Sequence, residues 1–178
     1  RERYLQLPRL DPRIPELART LARGFATDLG RARSIEQHLR TEYGYTLQLP
    51  DRDVADPLAY FLFSRRKGHC EYFASAMTVM LRSIGIPARL ATGFQSGIYN
   101  PMTELWVIRS SDAHTWVEAW MPGRGWSTFD PTPPDPNPTM GLAARLNLYL
   151  DAAQTFWQQW IVAYDAGQQG SLADRIVL

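Results

Sequence analysis

The chain contains a single cysteine, Cys70, among 178 residues. An internal disulfide framework and a closed thiolate metal site both need several thiols, so both are excluded. No uninterrupted run of about 18 apolar residues occurs, so nothing in the chain reads as a membrane span. Neither charge sign is in surplus: 19 Lys and Arg stand against 18 Asp and Glu, a formal net charge of +1. The broad basic field expected of a nucleic-acid binder is missing. Histidine is scarce too, with three residues. The first ten residues, RERYLQLPRL, hold neither an initiator Met nor the apolar stretch of a signal peptide. The chain therefore reads as a segment of a longer protein whose targeting information lies elsewhere.

What is present suits one compact domain over residues 1–178, with 45% hydrophobic and 21% charged residues and length enough for a substantial core. The spacing of Ile14, Leu17, Ala18, Leu21, Phe25 and Leu29 predicts a helix over 14–29, and a second is expected over 32–42. Asp56 and Pro57 open a short helix over 56–64. The clearest helix starts at the cysteine, with Cys70, Phe73, Ala74, Met77, Met80, Leu81 and Ile84 on one face and Gly85 closing it.

After GIPAR the period changes. Residues 88–99, 104–110, 113–121 and 125–130 read as four strands, the last two joined by the PGRG hairpin. Residues 131–138, PTPPDPNP, form a proline-rich linker. A final amphipathic helix is expected near 141–165, striped by Leu142, Leu146, Tyr149, Leu150, Ala153, Trp157, Trp160 and Tyr164; its stripe is expected to dock on the domain's own helices, with a partner or a membrane surface as the alternatives. Helices, an antiparallel sheet, then a helix make an α+β layout.

The place of Cys70 carries chemistry. A thiol attacks as thiolate, and unpaired N–H groups and the positive dipole end of a helix N-terminus favour the anion. The bland alternative is a small buried hydrophobe. A thiolate needs a base. His38 falls among polar residues and is expected in solvent, and His69 adjoins Cys70, where neighbouring side chains diverge. His114 starts a strand in DAHTWVEAW. Centring the hairpin turn on Gly123 pairs 120 with 126, 118 with 128 and 116 with 130. His114 and Asp130 then share a face at a diagonal, about 7–8 Å between Cβ atoms, the reach of an imidazole–carboxylate hydrogen bond. Asp112 as a cap at the strand entrance and Glu118 farther along the same face compete for that role, and Asp130 has its own alternative as a turn cap. The RRK run at 65–67 either biases the thiol toward ionisation or is a solvated loop, and Trp106, Trp116, Trp120 and Trp126 are expected as sheet core or cleft wall.

Four ordered blocks, GHCEYFASAM, LRSIGIPARLATGF, DAHTWVEAW and GWSTFDPT, resemble those of the transglutaminase-like superfamily, over about residues 42–133. The resemblance implies a papain-like α+β core in which Cys70, His114 and Asp130 form a catalytic triad. The string DPLAYFLFSRRKGHCEYFASAM is most similar to the TgpA-type bacterial branch, which implies a periplasmic domain of an inner-membrane protein. No tryptophan precedes Cys70, where eukaryotic relatives carry an oxyanion donor; Tyr43 or Tyr45 is the candidate stand-in. The implied activity is protein-glutamine γ-glutamyl transfer through a thioester on Cys70, by a monomeric domain. Its partners are a peptide or protein glutamine and an amine or water, and it needs no metal or organic cofactor. A cysteine hydrolase of the same fold and a non-catalytic interaction domain are the alternatives.

Overall fold

The computed structural model describes residues 2–50, 54–95, 97–100, 103–134, 150, 153 and 155–157. Helix α1, Arg13–Ala22, buries Ile14 and Ala18 one turn apart. It stops where Gly24 takes a φ of +90°, a conformation that side chains with a Cβ resist. Thr27 then caps α2, Asp28–Glu42, accepting the Gly30 N–H at 3.1 Å. The single helix expected over 14–29 is therefore two: Leu29 belongs to α2, and Phe25 in the break is exposed. The second begins four residues before its expected start at 32, because the Thr27 cap outranks the hydrophobic period as a start signal. Ala32, Ile35 and Leu39 form its buried stripe.

A two-residue strand β1, Gly44–Tyr45, pairs in parallel with β2, Lys67–Gly68. Between them α3, Pro57–Tyr60, is capped by Asp56, which accepts the Ala59 N–H at 2.9 Å. It runs on as a π-helical turn over Phe61–Arg65 and ends at Arg66, whose φ is +51°. Helix α4, Cys70–Ser83, follows directly after β2 and His69. Phe73, Ala74, Ala76, Met77, Met80 and Leu81 put one side of α4 at the centre of the core.

Strands β3 (Ala88–Phe94), β6 (Ala113–Met121) and β7 (Gly125–Phe129) form one antiparallel sheet in the order β3-β6-β7. The hairpin register is the expected one: Trp120 pairs with Trp126 and Glu118 with Thr128. Side chains alternate across β6. Val117, Ala119 and Met121 enter the core shared with α4, while His114, Trp116, Glu118 and Trp120 take the other face. Of the tryptophans expected as sheet core or cleft wall, Trp120 is 41% and Trp106 64% exposed, so these two are not core.

The expected strand over 88–99 stops at Phe94. Strands β4 (Ile98–Asn100) and β5 (Leu105–Val107) make a separate antiparallel hairpin, with the Tyr99 and Trp106 rings 5.5 Å apart. The chain groups into two compact units, 1–95 with 110–136 and 96–109 with 137–178. Pro131 and Thr132, expected in the linker, are buried. Most of the expected C-terminal helix lies outside the described residues. Leu150, Ala153 and 155–157 are helical there. Leu150 and Trp157 are 60% and 56% exposed, and the expected docking of the helix lies outside the described residues.

Candidate active site

The backbone delivers Cys70 to a defined spot. The Arg66 kink turns the chain into β2, β2 fixes Lys67 and Gly68 against β1, and the extended His69 leads into the first residue of α4. His69 provides no side-chain cap, so it leaves the first-turn N–H groups to other acceptors. Cys70 is half-buried, which separates it from the fully enclosed residues of the same helix, Phe73 and Ala74. A thiol sealed in the core is not what the fold presents.

The sheet brings His114 and Asp130 together. Nε2 of His114 lies 2.8 Å from Oδ2 of Asp130, with the two side chains 12% and 35% exposed. An ionised carboxylate only accepts hydrogen bonds, so opposite one the donor is Nε2, and a neutral ring in that tautomer has its lone pair on Nδ1. Asp130 itself is held by three further hydrogen bonds. Its Oδ1 accepts the Thr132 N–H at 3.0 Å, its own N–H donates to Oε1 of Glu36 at 2.8 Å, and its carbonyl accepts from Nη1 of Arg40 at 3.3 Å. A cavity of about 350 Å³ opens beside the pair, lined by Arg40, Tyr45, Asp112, His114, Asp130 and Thr132 among others. Glu36 is half-buried, and burial raises its carboxyl pKa against the opposing pull of the Asp130 N–H and Arg40.

The competing residues are engaged elsewhere or differently. Glu118 pairs with Arg89 at 2.6 Å across the β3–β6 register. The Asp112 carbonyl accepts the Gln95 N–H at 2.8 Å where β3 and β6 begin to part. His38, expected in solvent, is half-buried with its ring edge-on to Tyr43 at 5.7 Å, and burial lowers its pKa. Its helix neighbours are polar, but its own face turns toward the aromatic core. The hydroxyl of Tyr43 donates to the Leu62 carbonyl at 3.1 Å in the interior, so of the two tyrosines Tyr45 is the one at the cavity. In the RRK run Arg65 reaches the Gln48 carbonyl, and Arg66 reaches the Glu42 carbonyl while lying over the Tyr43 ring. Both serve the loop that leads to Cys70. Sequence reasoning missed Glu36 and Arg40. They are 94 and 90 residues from Asp130, and only their helical spacing of four hinted at a shared face.

An α+β core with a cysteine opening a helix and a strand histidine bonded to aspartate is the layout of the transglutaminase-like proteins. Residues 15–131 match the model of the transglutaminase-like superfamily, and the chain belongs to that superfamily. Among named relatives it is 34% identical over 205 aligned positions to the protein-glutamine gamma-glutamyltransferase of Pseudomonas aeruginosa, covering 98% of this chain and 30% of that protein. It is 37% identical over 151 positions to YebA of Bacillus subtilis, covering 77% of this chain and 20% of that protein. The chain thus spans less than a third of the length of these curated relatives. The crystal structure of the periplasmic domain of TgpA from Pseudomonas aeruginosa superposes with a TM-score of 0.68 at 39% identity, over 73% of this chain and 46% of that one.

Proposed function

We propose that this chain is a cysteine-dependent acyltransferase domain, a protein-glutamine γ-glutamyltransferase, with Cys70, His114 and Asp130 as its triad. The observation that carries the reading is the 2.8 Å His114–Asp130 bond, on a chain whose one cysteine opens the helix packed on the strand of His114. That bond commits Nε2 to Asp130 and leaves Nδ1 to take the Cys70 proton. The thiolate attacks the γ-carboxamide carbon of a glutamine side chain. A tetrahedral oxyanion forms, stabilised by N–H donors at the start of α4. As it collapses, the C–N bond breaks, the Nδ1 proton passes to the departing nitrogen, and ammonia leaves a thioester on Cys70. A primary amine, such as a lysine of a peptide or protein, then attacks the thioester and loses its proton to Nδ1. The new amide forms, and the returned proton regenerates the thiol. Asp130 keeps the ring in one tautomer and orientation and stabilises the imidazolium of each half-reaction.

Hydrolysis is the second reading, and the polar lining of the cavity beside His114 favours it. Arg40, Asp112, Asp130 and Thr132 surround that space, which admits water as an acceptor. The similarity to the periplasmic domain of TgpA supports placement in the periplasm as part of a membrane protein. A blocked glutamine peptide with and without a primary amine separates the two chemistries. Transamidation gives an amine-dependent adduct, hydrolysis gives glutamate in either case, and Cys70→Ala should abolish both. Full activity in Cys70→Ala rules out the thioester route.

A further inference from the structure

Asp130 lies just past the last paired residue of β7, Phe129, and is followed by Pro131, which has no N–H to offer. A carboxylate at the frayed end of a strand would wander, yet this one must meet an imidazole nitrogen at hydrogen-bond distance. The Glu36 carboxylate accepts the Asp130 N–H at 2.8 Å, and Nη1 of Arg40 donates to the Asp130 carbonyl at 3.3 Å. The two residues are one helical turn apart on α2, so their side chains lie on the same face. Together they offer the main chain of Asp130 an acceptor and a donor, what a neighbouring strand would have supplied.

We propose that Glu36 and Arg40 are positioning residues, a side-chain clamp on α2 that continues the sheet by one residue and thereby aims the Asp130 carboxylate at Nε2 of His114. The clamp deepens the triad reading and rests on it for its catalytic consequence. Its geometric consequence stands without it. Helix α2 precedes the motif blocks in sequence, and through this clamp its placement enters the reaction. What Glu36 must provide is an oxygen acceptor rather than a negative charge, so a glutamine can take its place while an alanine cannot.

The test compares Glu36→Ala, Glu36→Gln and Arg40→Ala in the full 178-residue chain. In amine incorporation, Glu36→Ala should lower kcat about tenfold with KM within about twofold, the loss expected for one well-placed hydrogen bond. Glu36→Gln should restore kcat to within about twofold of the parent. Arg40→Ala, at an exposed position, should act in the same direction as Glu36→Ala but more weakly. The second readout needs no substrate. The Nε2 proton of His114, identified by its loss in His114→Ala, should give a downfield NMR signal that broadens in Glu36→Ala and persists in Glu36→Gln. A parental kcat in Glu36→Ala, or a Gln variant as slow as Ala at equal melting temperature, overturns the clamp. So does an imidazole signal indifferent to Glu36→Ala. An inactive chain with all three signals as expected would sink the transferase reading and leave the clamp standing.

Discussion

At the scale of single residues, the proposed triad, built on the 2.8 Å bond from His114 to Asp130, sets what each of its members should cost on removal. Cys70→Ala and His114→Ala each delete a group the same covalent step requires, so each should abolish turnover. Asp130→Ala removes the group that orients the ring and steadies its imidazolium but does not itself react, and should be roughly a hundredfold milder, the ordering seen when triad members act as a unit. Steady-state kinetics on the three variants check it. The thiol gives a separate readout. With His114 as its base, Cys70 should be alkylated by iodoacetamide faster near neutral pH than a free thiol with a pKa of about 8.5, and His114→Ala should slow that labelling sharply. Glu36 supplies a pH prediction. Its folded pKa is raised above the ordinary 4.5, first by burial and then by the nearby Asp130 charge, with the Asp130 N–H, Arg40 and Arg33 opposing. A raised folded pKa means stability that is complete below the unfolded value and is lost as pH rises through the folded one. Glu36→Gln, which cannot ionise, should gain in melting temperature relative to the parent as pH goes from about 4 to about 7. A difference that is flat or falls over that window contradicts the buried-carboxylate account.

Between residues and the whole stands the β3–β6–β7 sheet, whose register decides which side chains meet the cavity. Gly93 pairs with His114 across β3 and β6. The Trp116 ring crosses over Gly93: a Cβ there would lie 2.8 Å from Cη2 and 3.3 Å from Cζ3 of that ring. The same ring is stacked near His114, 6.4 Å between centroids with planes 23° apart. Gly93→Ala should therefore push Trp116 aside, costing about 1–3 kcal/mol of stability and lowering kcat through the displaced histidine. Denaturant unfolding and kinetics on the one variant measure both. Helix α4 meets the other face of β6, so the element that presents the thiol and the strand that presents the proposed base, His114, are held by the same apolar layer.

For the whole molecule, that layer is the common support of the site. Ile14, Ile35, Leu39, Phe61, Phe73, Met77, Leu81 and Val117 are essentially inaccessible and draw α1, α2, the π-helical turn, α4 and β6 into one core. Leu81→Ala should leave a cavity and cost about 3 kcal/mol, which for a chain of this size lowers the melting temperature by about 6–12 °C. Because Leu81 lies three turns along α4 from Cys70, thiol labelling of the folded variant should stay near the parental rate. A loss of labelling with little change in melting would mean that α4 transmits packing to its first turn.

Local pattern was enough to place the thiol at the start of α4, since the apolar period of 3.6 begins at Cys70 and ends at Gly85. The period of two and the short PGRG turn were enough to pair Trp120 with Trp126, and that register puts His114 and Asp130 on one face. The family resemblance in GHCEYFASAM and DAHTWVEAW pointed to the same residues. Other features did not follow from the apolar period. Two helices replaced one at Gly24, because the cap at Thr27 and a positive φ compete with the apolar period rather than add to it. The strand after Ala88 left its sheet at Phe94 and resumed in another hairpin, although both stretches are equally β-like. The hold of Glu36 and Arg40 on Asp130 joins groups some 90 residues apart, and the half-burial of His38 depends on which face α2 turns to the core. These last two depend on contacts between distant segments, and such contacts exist only once the apolar faces of α2, α4 and β6 have chosen one another.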